Sequence, residues 1–362
     1  MSQTFRIYRQ IILFCETVII FCGCQQHDSV QPVMVKKSGN QPIIAMITDG
    51  QHNTGTLLAA GAKKAAEENQ IQLVWLEPTN DEDVSQQISL LNQTIDRQVD
   101  GIIISPLDEF LLKKPLQRAQ KLQIPYLFFD TNLIIDNENH VPMIASDDFS
   151  AGKFAADQMA TILHKKGKVI VLRHSSLSAS TLKREEGFLE QIKNYPEMEV
   201  VNSEYYAGTV DSFAQEKAEN LLRLFFHGDQ LKIDGIFVSH GQTGVNMLHA
   251  LQAMNLAGKI RFVAFGTEDE LVSGILSLKV DALVVSRKVY TGYAAVEAMA
   301  KQIRGEEIPL FLDTGSDLVT FKNYADSYTK AVLKPMEHLD ELIQKIILKK
   351  NDSGVAENTL VH

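Results

Sequence analysis

Cysteine is almost missing. Cys15, Cys22 and Cys24 are the only three in 362 residues, so nothing beyond Cys24 can form a disulfide or a thiolate metal site. Tryptophan occurs once, at Trp75 inside an apolar run, where core packing is its expected role. Positive charge is in short supply: 35 Lys and Arg against 45 Asp and Glu leave a net charge of −10, which argues against a nucleic-acid partner, since that needs a basic face to offset phosphate. The apolar stretch 11–21 is broken by Glu16 and falls short of the roughly 20 residues that a membrane span needs. Enzyme signatures are lacking as well: there is no glycine-rich phosphate loop, Gly-x-Ser-x-Gly elbow, His-Glu-x-x-His helix or paired-carboxylate arrangement. The chain therefore reads as a binding protein with no catalytic residues, no cofactor and no metal.

What is present begins with an export signal. Arg6 and Arg9 precede the stretch 11–21, whose length suits a secretory hydrophobic region. It ends in Phe21-Cys22-Gly23-Cys24, which resembles a bacterial lipobox and makes Cys24 the expected lipidated N-terminus, with the membrane as partner through that anchor. An ordinary signal peptide or an uncleaved anchor is the alternative, and each of these readings exports the body to the periplasm or cell envelope. Residues 1–23 are thus expected to be a signal peptide, and the polar stretch 24–41, with Pro32, Lys36, Lys37, Ser38 and Gly39, a flexible tether. The folded part is expected to start near Pro42.

From there short apolar runs alternate with amphipathic segments. Val99-Asp-Gly-Ile-Ile-Ile-Ser-Pro106 and Pro125-Tyr-Leu-Phe-Phe-Asp-Thr131 flank a stretch long enough for a helix, and each run stops at a small or acidic residue, as buried parallel strands do. Further strands are expected at 43–47 and 71–76, then at 169–172, 200–205, 233–238 and 262–265, with helical patterns between them. A chain of this length exceeds the roughly 250–300 residues of a single core. The expected architecture is α/β: two doubly wound parallel-sheet lobes. Ligands of such sheets meet the carboxyl ends of the strands, which places Ser105 and Asp130 at a binding edge. Gly244 and Gly266 are expected to serve turn geometry.

The order of Pro42-Ile-Ile-Ala-Met-Ile-Thr48, Gly61-Ala-x-Lys-Ala-Ala66, the segments ending at Pro106 and Asp130, Ala145-Ser-Asp147, Arg184-x-x-Gly-Phe188, Asp234-Gly-Ile-Phe-Val238 and Leu312-Asp-Thr-Gly-x-x-Leu-Val-Thr320 resembles type I periplasmic binding proteins of the ribose-binding and lactose-repressor group. The resemblance spans residues 42–324. It implies two lobes joined by three hinge crossings: 42–145 with 287–313, and 146–286 with 314–324, followed by a helical extension over 325–362. The repressor branch carries a DNA-binding helix-turn-helix before this fold, whereas here a signal and tether occupy that position. The implied function is closure of the cleft between lobes on a small polar ligand, a sugar or sugar derivative, and its presentation to an ABC importer. A co-receptor for a membrane sensor kinase or chemoreceptor is the alternative, and an enzyme on this fold is a third reading.

The resemblance also locates a cleft. Asp130 holds the family's hydroxyl-accepting acidic position, with capping of the next loop as its alternative role, and Thr131 stands where many relatives have Arg. The aromatic pair of ribose binders corresponds to Thr54-Gly55, with His52 and Asn53 just before it. A further aromatic aligns with Thr209, the strand-end Asn with His240, the second-lobe Asp with Gly266 and the hinge Gln with Ser286, next to Arg287. Arg173 and His174 follow the strand at 169–172. Arginine forks and histidines at these strand ends suit an anionic or highly polar ligand, unless they are solvated loop residues. Arg184 either faces the cleft or holds the loop 175–180, and Asp147 is expected to cap the helix that follows. Beyond Pro335, the residues Met336, Leu339, Leu342, Ile343, Ile346 and Ile347 form one apolar stripe, with acidic residues early and lysines late. That helix is expected either to pack on a lobe or to dock a partner.

Overall fold

In the computed structural model, the described residues are 41–50, 53–80, 83–130, 141–176, 178–208 and 211–352. The expected signal peptide, lipidated Cys24, nearly all of the tether, His52, Thr131, Thr209 and the end of the extension lie outside them. Among the described residues, no helix is long and apolar enough to cross a membrane.

Two six-stranded sheets form the body. The first contains β1 (Ile43–Ile47), β2 (Gln72–Leu76), β3 (Gly101–Ile104), β4 (Tyr126–Phe129), β5 (Met143–Ala145) and β13 (Phe311–Asp313), in the order β13-β5-β4-β3-β1-β2 and parallel throughout. Its strands are connected by α1 (Asn53–Glu68), α2 (Val84–Asp96) and α3 (Glu109–Lys121). The second contains β6 (Lys166–Arg173), β7 (Glu197–Tyr206), β10 (Gly235–Val238), β11 (Arg261–Phe265), β12 (Ala282–Ser286) and β14 (Ser316–Thr320), in the order β14-β12-β11-β10-β6-β7, with only β14 antiparallel. The helices of this part are α4 (Asp148–Ile162), α5 (Ala179–Ile192), α6 (Asp211–Arg223), α7 (Gly241–Ala253) and α8 (Asp269–Leu276), and a two-residue hairpin, β8 (Phe226–His227) with β9 (Gln230–Leu231), precedes β10. The apolar runs become strands because both faces of each sheet are covered. Ile44, Met46, Ile47, Ile102, Ile103 and Ile104 have essentially no exposed surface.

Sequence periodicity does not reveal the short strands β5, β13 and β14, or β12. They lie where the chain changes sheet: after Ala145, after Ser286 and after Asp313. Because β5 and β13 leave the first sheet at their carboxyl ends and β12 leaves the second at its own, the carboxyl edges of the two sheets share the hinge side of the molecule. There Thr314 is wholly buried, its hydroxyl 2.8 Å from that of Thr291 and 3.2 Å from that of Ser146. Asp313 Oδ1 accepts from the amides of Asp147 and Gly315 at 3.0 and 2.7 Å, joining two crossings. Asp147 also caps α4, accepting from the Ser150 amide at 2.9 Å.

Two sequence motifs find their meaning in helix packing. A methyl at Gly61 of α1 would lie 1.8 Å from the Val289 carbonyl oxygen in α9 (Lys288–Ile303), and one at Gly292 of α9 would lie 2.0 Å from that of Leu58. The second lobe repeats the device: Gly152 of α4 faces the Arg184 carbonyl oxygen and Gly187 of α5 that of Phe149, each at 2.0 Å. Glycine at these places lets two helix backbones touch. Gly244 differs from its expected turn role: it lies inside α7, where a methyl would meet Leu271 Cδ1 at 3.2 Å and Ala264 Cβ at 3.3 Å.

The C-terminal stripe is a helix that packs on the body. α11 (Leu339–Asp352) buries Leu342, Ile343 and Ile346 against α10 (Ser327–Leu333), α9 and α1, and Asp340 pairs with Lys64 at 3.0 Å. Met336 is the exception, outside the helix and exposed. Trp75 packs partly buried against the core and donates from Nε1 to Glu77 Oε1 at 2.7 Å.

Overpacking either glycine contact is costly. Gly292→Ala is expected to lower stability by about 1–3 kcal/mol, read as an earlier urea unfolding midpoint, whereas at Gly305 the added methyl meets nothing within 4 Å and only the φ of +78° disfavours a side chain.

Candidate functional site

The carboxyl edges of the two sheets bring together most of the residues singled out from the sequence. On the first sheet, buried Ser105 follows β3 and Asp130 follows β4. Gln87, with no exposed surface, cross-links these strand ends: its Nε2 donates to the carbonyls of Thr48 and Ser105, both at 2.8 Å, and its Oε1 accepts from the Leu107 amide at 3.0 Å. Asp130 adopts φ of 50°, a left-handed conformation that Asp tolerates better than most residues. Its Oδ1 is engaged at 2.5 Å by Lys288 Nζ, from the first residue of α9. Sequence reasoning missed Lys288, although its place directly after the hinge residue Arg287 was the available signal. Asn53 and Thr54 open α1, after β1.

The second sheet supplies a denser cluster. Arg184, in α5, donates from Nε to Asp148 Oδ1 at 2.7 Å and from Nη1 to the Ser239 carbonyl at 3.1 Å, while its guanidinium carbon lies 4.5 Å from the Phe265 ring centre. These contacts run to α4 and the ends of β10 and β11. Glu185, fully buried, accepts from the Ser239 hydroxyl at 2.7 Å and from the His174 amide at 3.3 Å, and lies 3.7 Å from Arg173 Nε, too far for a hydrogen bond. Burial pushes its carboxyl above the usual range, against the opposing effect of these donors. Arg173 also donates to the Tyr206 hydroxyl at 2.9 Å. Glu185 carried no signal in the sequence beyond its place beside Arg184.

His174 and His240 stack with ring centres 3.8 Å apart, and Nδ1 of His174 is 2.9 Å from the Thr243 hydroxyl. Burial, then the positive charges available to His174 and Arg184, pushes His240 down to about 3. It is therefore uncharged near neutral pH, and its Nδ1 is buried with no hydrogen-bond partner among the described residues.

The hinge residues are committed to one another. Arg287 forks onto Asp317, Nε to Oδ2 at 2.9 Å and Nη2 to Oδ1 at 2.8 Å, and the Tyr328 hydroxyl of α10 donates to the same Oδ1 at 2.8 Å. Burial alone lowers the affinity of Arg287 for its proton, but the Asp317 carboxylate outweighs it and raises the guanidinium above its ordinary value. Ser286 ends β12, paired in register with Ser316. Among the described residues, no three His, Cys, Asp or Glu side chains gather as a metal site.

The histidine pair has a consequence for stability. The proton affinity of His240 falls from the ordinary 6.5 to about 3 on folding, so its contribution is complete above about pH 6.5 and is lost as the pH falls toward 3. Glu185, held above its ordinary 4.5, acts oppositely, losing its contribution as the pH rises. His240→Asn is expected to flatten the decline in melting temperature between pH 6.5 and about 4. An equally steep decline in the variant removes His240 as its source.

Known proteins share this fold. The chain is 24% identical over 309 residues to a xylitol-binding protein of Mycolicibacterium smegmatis, covering 83% of this chain and 81% of that protein. It is 26% identical over 253 residues to the ribose import binding protein RbsB of Haemophilus influenzae, covering 69% and 82% respectively. A solved carbohydrate transporter solute-binding protein from Agrobacterium radiobacter, in complex with D-arabinose, superposes with a TM-score of 0.69 at 25% identity, over 82% of this chain and 100% of that one. The model of the periplasmic binding protein domain matches residues 44–307, and with two parallel-dominated sheets joined by three crossings, the chain belongs to the periplasmic binding proteins.

Proposed function

We propose that this protein binds an uncharged sugar or sugar alcohol between its two lobes and delivers it to an ABC importer. The observation that carries the reading is the pairing of charges at the strand ends. Of the two arginines that favoured an anionic ligand in the sequence, Arg287 is held by Asp317 and Arg173 lies 3.7 Å from the Glu185 carboxylate, while the other cations of this edge, Arg184 and Lys288, are held by Asp148 and Asp130. Capturing an anion with them means breaking a partly buried ion pair and leaving its carboxylate uncompensated, at a cost of roughly 3–5 kcal/mol. Neutral His240 adds no charge. Hydroxyl groups, in contrast, need acceptors and neutral donors, which this edge supplies in Asp130, His174, His240 and Ser286. The relatives whose names state xylitol, ribose and D-arabinose as ligands support the same class.

The lobe boundaries at 145/146, 286/287 and 313/314 make closure a hinge motion about Thr314, and a sugar contacting both lobes stabilises the closed form because half of its contacts exist only there. Asp130 acts as a hydroxyl acceptor, held in place by Lys288. His52, Asn53, Thr54, Thr131, His174, His240 and Ser286 are the remaining candidates for ligand contact; Arg184 and Arg287 act by positioning. Delivery to an importer is preferred to a role as a sensor's co-receptor because the Haemophilus influenzae relative is an import binding protein. The body works outside the cytoplasmic membrane, tethered through lipid on Cys24.

Isothermal titration with D-ribose, D-arabinose, D-allose, xylitol, D-gluconate and ribose 5-phosphate tests the ligand class. Binding confined to neutral compounds supports it, and binding confined to the two anions overturns it. Asp130→Ala is expected to weaken binding of the responding sugar at least tenfold, about 1.4 kcal/mol; unchanged affinity removes Asp130 from the site. Cys24→Ser is expected to move the expressed protein from the membrane fraction to the soluble fraction, and retention on the membrane contradicts the lipid anchor.

A further inference from the structure

Asp317, on β14, is where the second lobe meets the segment that ends the chain. It is buried and lies just beyond the third crossing. Besides the Arg287 fork, its Oδ1 accepts from the Tyr328 hydroxyl of α10 at 2.8 Å. Tyr328 is in turn gripped by α11: Lys349 Nζ lies 3.2 Å over its ring centre, and Lys345 Nζ donates to the hydroxyl of the neighbouring Ser327 at 2.9 Å. Burial lowers the proton affinity of Lys349 while the Asp317 carboxylate opposes it, so the ammonium stands within electrostatic reach of the hinge pair.

The other end of this series of contacts belongs to the first lobe. α11 buries Leu342, Ile343 and Ile346 where it packs on α1 and α9, and Lys64 of α1 holds Asp340 at 3.0 Å. Both of those helices cover the first sheet. A line of contacts therefore runs from α1 and α9 through α11 and Tyr328 to Asp317, joining the lobes without using any residue proposed to touch the sugar. Closure turns β14 against α9 about Thr314. Asp317 stands up to about 10 Å of strand from that pivot, so even a modest rotation carries its carboxylate further than a hydrogen bond can stretch.

We infer that the C-terminal extension is a strap across the hinge: its hold on Asp317 biases the lobes toward the arrangement described here and so tunes sugar affinity from outside the cleft. The effect on affinity rests on the sugar-binding reading above, whereas the bias on the lobes does not. A ligand that selects one lobe arrangement binds with an affinity scaled by the population of that arrangement, and the strap shifts that population. The coupling is reciprocal, so sugar binding changes the hold of Tyr328 on Asp317 by the same factor.

Cysteine is absent beyond Cys24, so the lobe separation can be read with a pair of introduced labels. In a full-length chain carrying Cys15→Ser, Cys22→Ser and Cys24→Ser, spin labels at Lys113→Cys on α3 and Glu216→Cys on α6, both exposed and one on each lobe, report it by double electron–electron resonance. Tyr328→Phe removes only the hydroxyl. Without sugar it is expected to broaden the distribution of separations or add a second one, and in titrations with D-ribose, D-arabinose, D-allose and xylitol to change the affinity for the responding sugar about threefold or more. Lys349→Met, which takes the cation off the ring, is expected to shift both readings in the same sense, and it serves if Tyr328→Phe fails to fold. An unchanged distribution in the folded variants overturns the strap, and an unchanged affinity beside a changed distribution overturns its control of binding. If the unaltered protein binds none of the four sugars, the sugar-binding reading fails, and the separation alone decides the strap.

Discussion

Three chain crossings meet at one buried hydroxyl, and the rest of the molecule is arranged around that constraint. Thr314 has no exposed surface, and its hydroxyl lies within hydrogen-bond distance of Ser146 and Thr291, one at the first crossing and the other in the helix after the second. An unsatisfied hydroxyl there costs about 1–3 kcal/mol, so the crossings must stay in register. Since the strands that cross leave their sheets at the carboxyl ends, that register also decides that the two carboxyl edges, where α/β sheets meet ligands, share one side of the molecule.

Charge at this side is organised by internal pairing. Asp130 with Lys288, Asp148 with Arg184 and Asp317 with Arg287 form ion pairs at or below 2.8 Å, all partly shielded from water. Such pairs contribute little net stability, because desolvation consumes most of the Coulombic gain, but breaking one is expensive. Their effect is to hold side chains in fixed directions. A neutral ligand that reads those directions through hydrogen bonds fits this arrangement better than an anion that has to displace a carboxylate from its partner.

The lobes share a packing solution as well as a topology. Gly61 with Gly292 in the first lobe, and Gly152 with Gly187 in the second, let a helix pair approach to backbone contact on the face of each sheet. The C-terminal segment then spans both lobes. α11 packs on the first-lobe helices α1 and α9, and Tyr328 of α10 donates to Asp317 on β14 of the second sheet, with Lys349 3.2 Å over the Tyr328 ring centre. The extension thereby touches the same Asp317 that holds Arg287, so the third crossing is braced from outside as well as by its own strands.

The sequence by itself determined the α/β architecture, the acidic residue after β4, the cap at Asp147 and the amphipathic C-terminal helix. Each is a local pattern: a continuous apolar run, a strand stop, a capping residue or a helical stripe, and local patterns survive in one dimension. Only the tertiary structure decided the short strands β5, β13 and β14, whose three to five residues carry too little periodicity to read. It also decided that Gly244 is a packing glycine inside α7 rather than a turn. The same holds for the site's charges. Arg287 looks like a free anion donor in the sequence, and the role of Arg184 stays open there, because their partners, Asp317 and Asp148, lie 30 and 36 residues away. Electrostatic pairing and steric room depend on distances that folding creates, and for that reason the scaffold was legible in the sequence while the chemistry of its cleft was not.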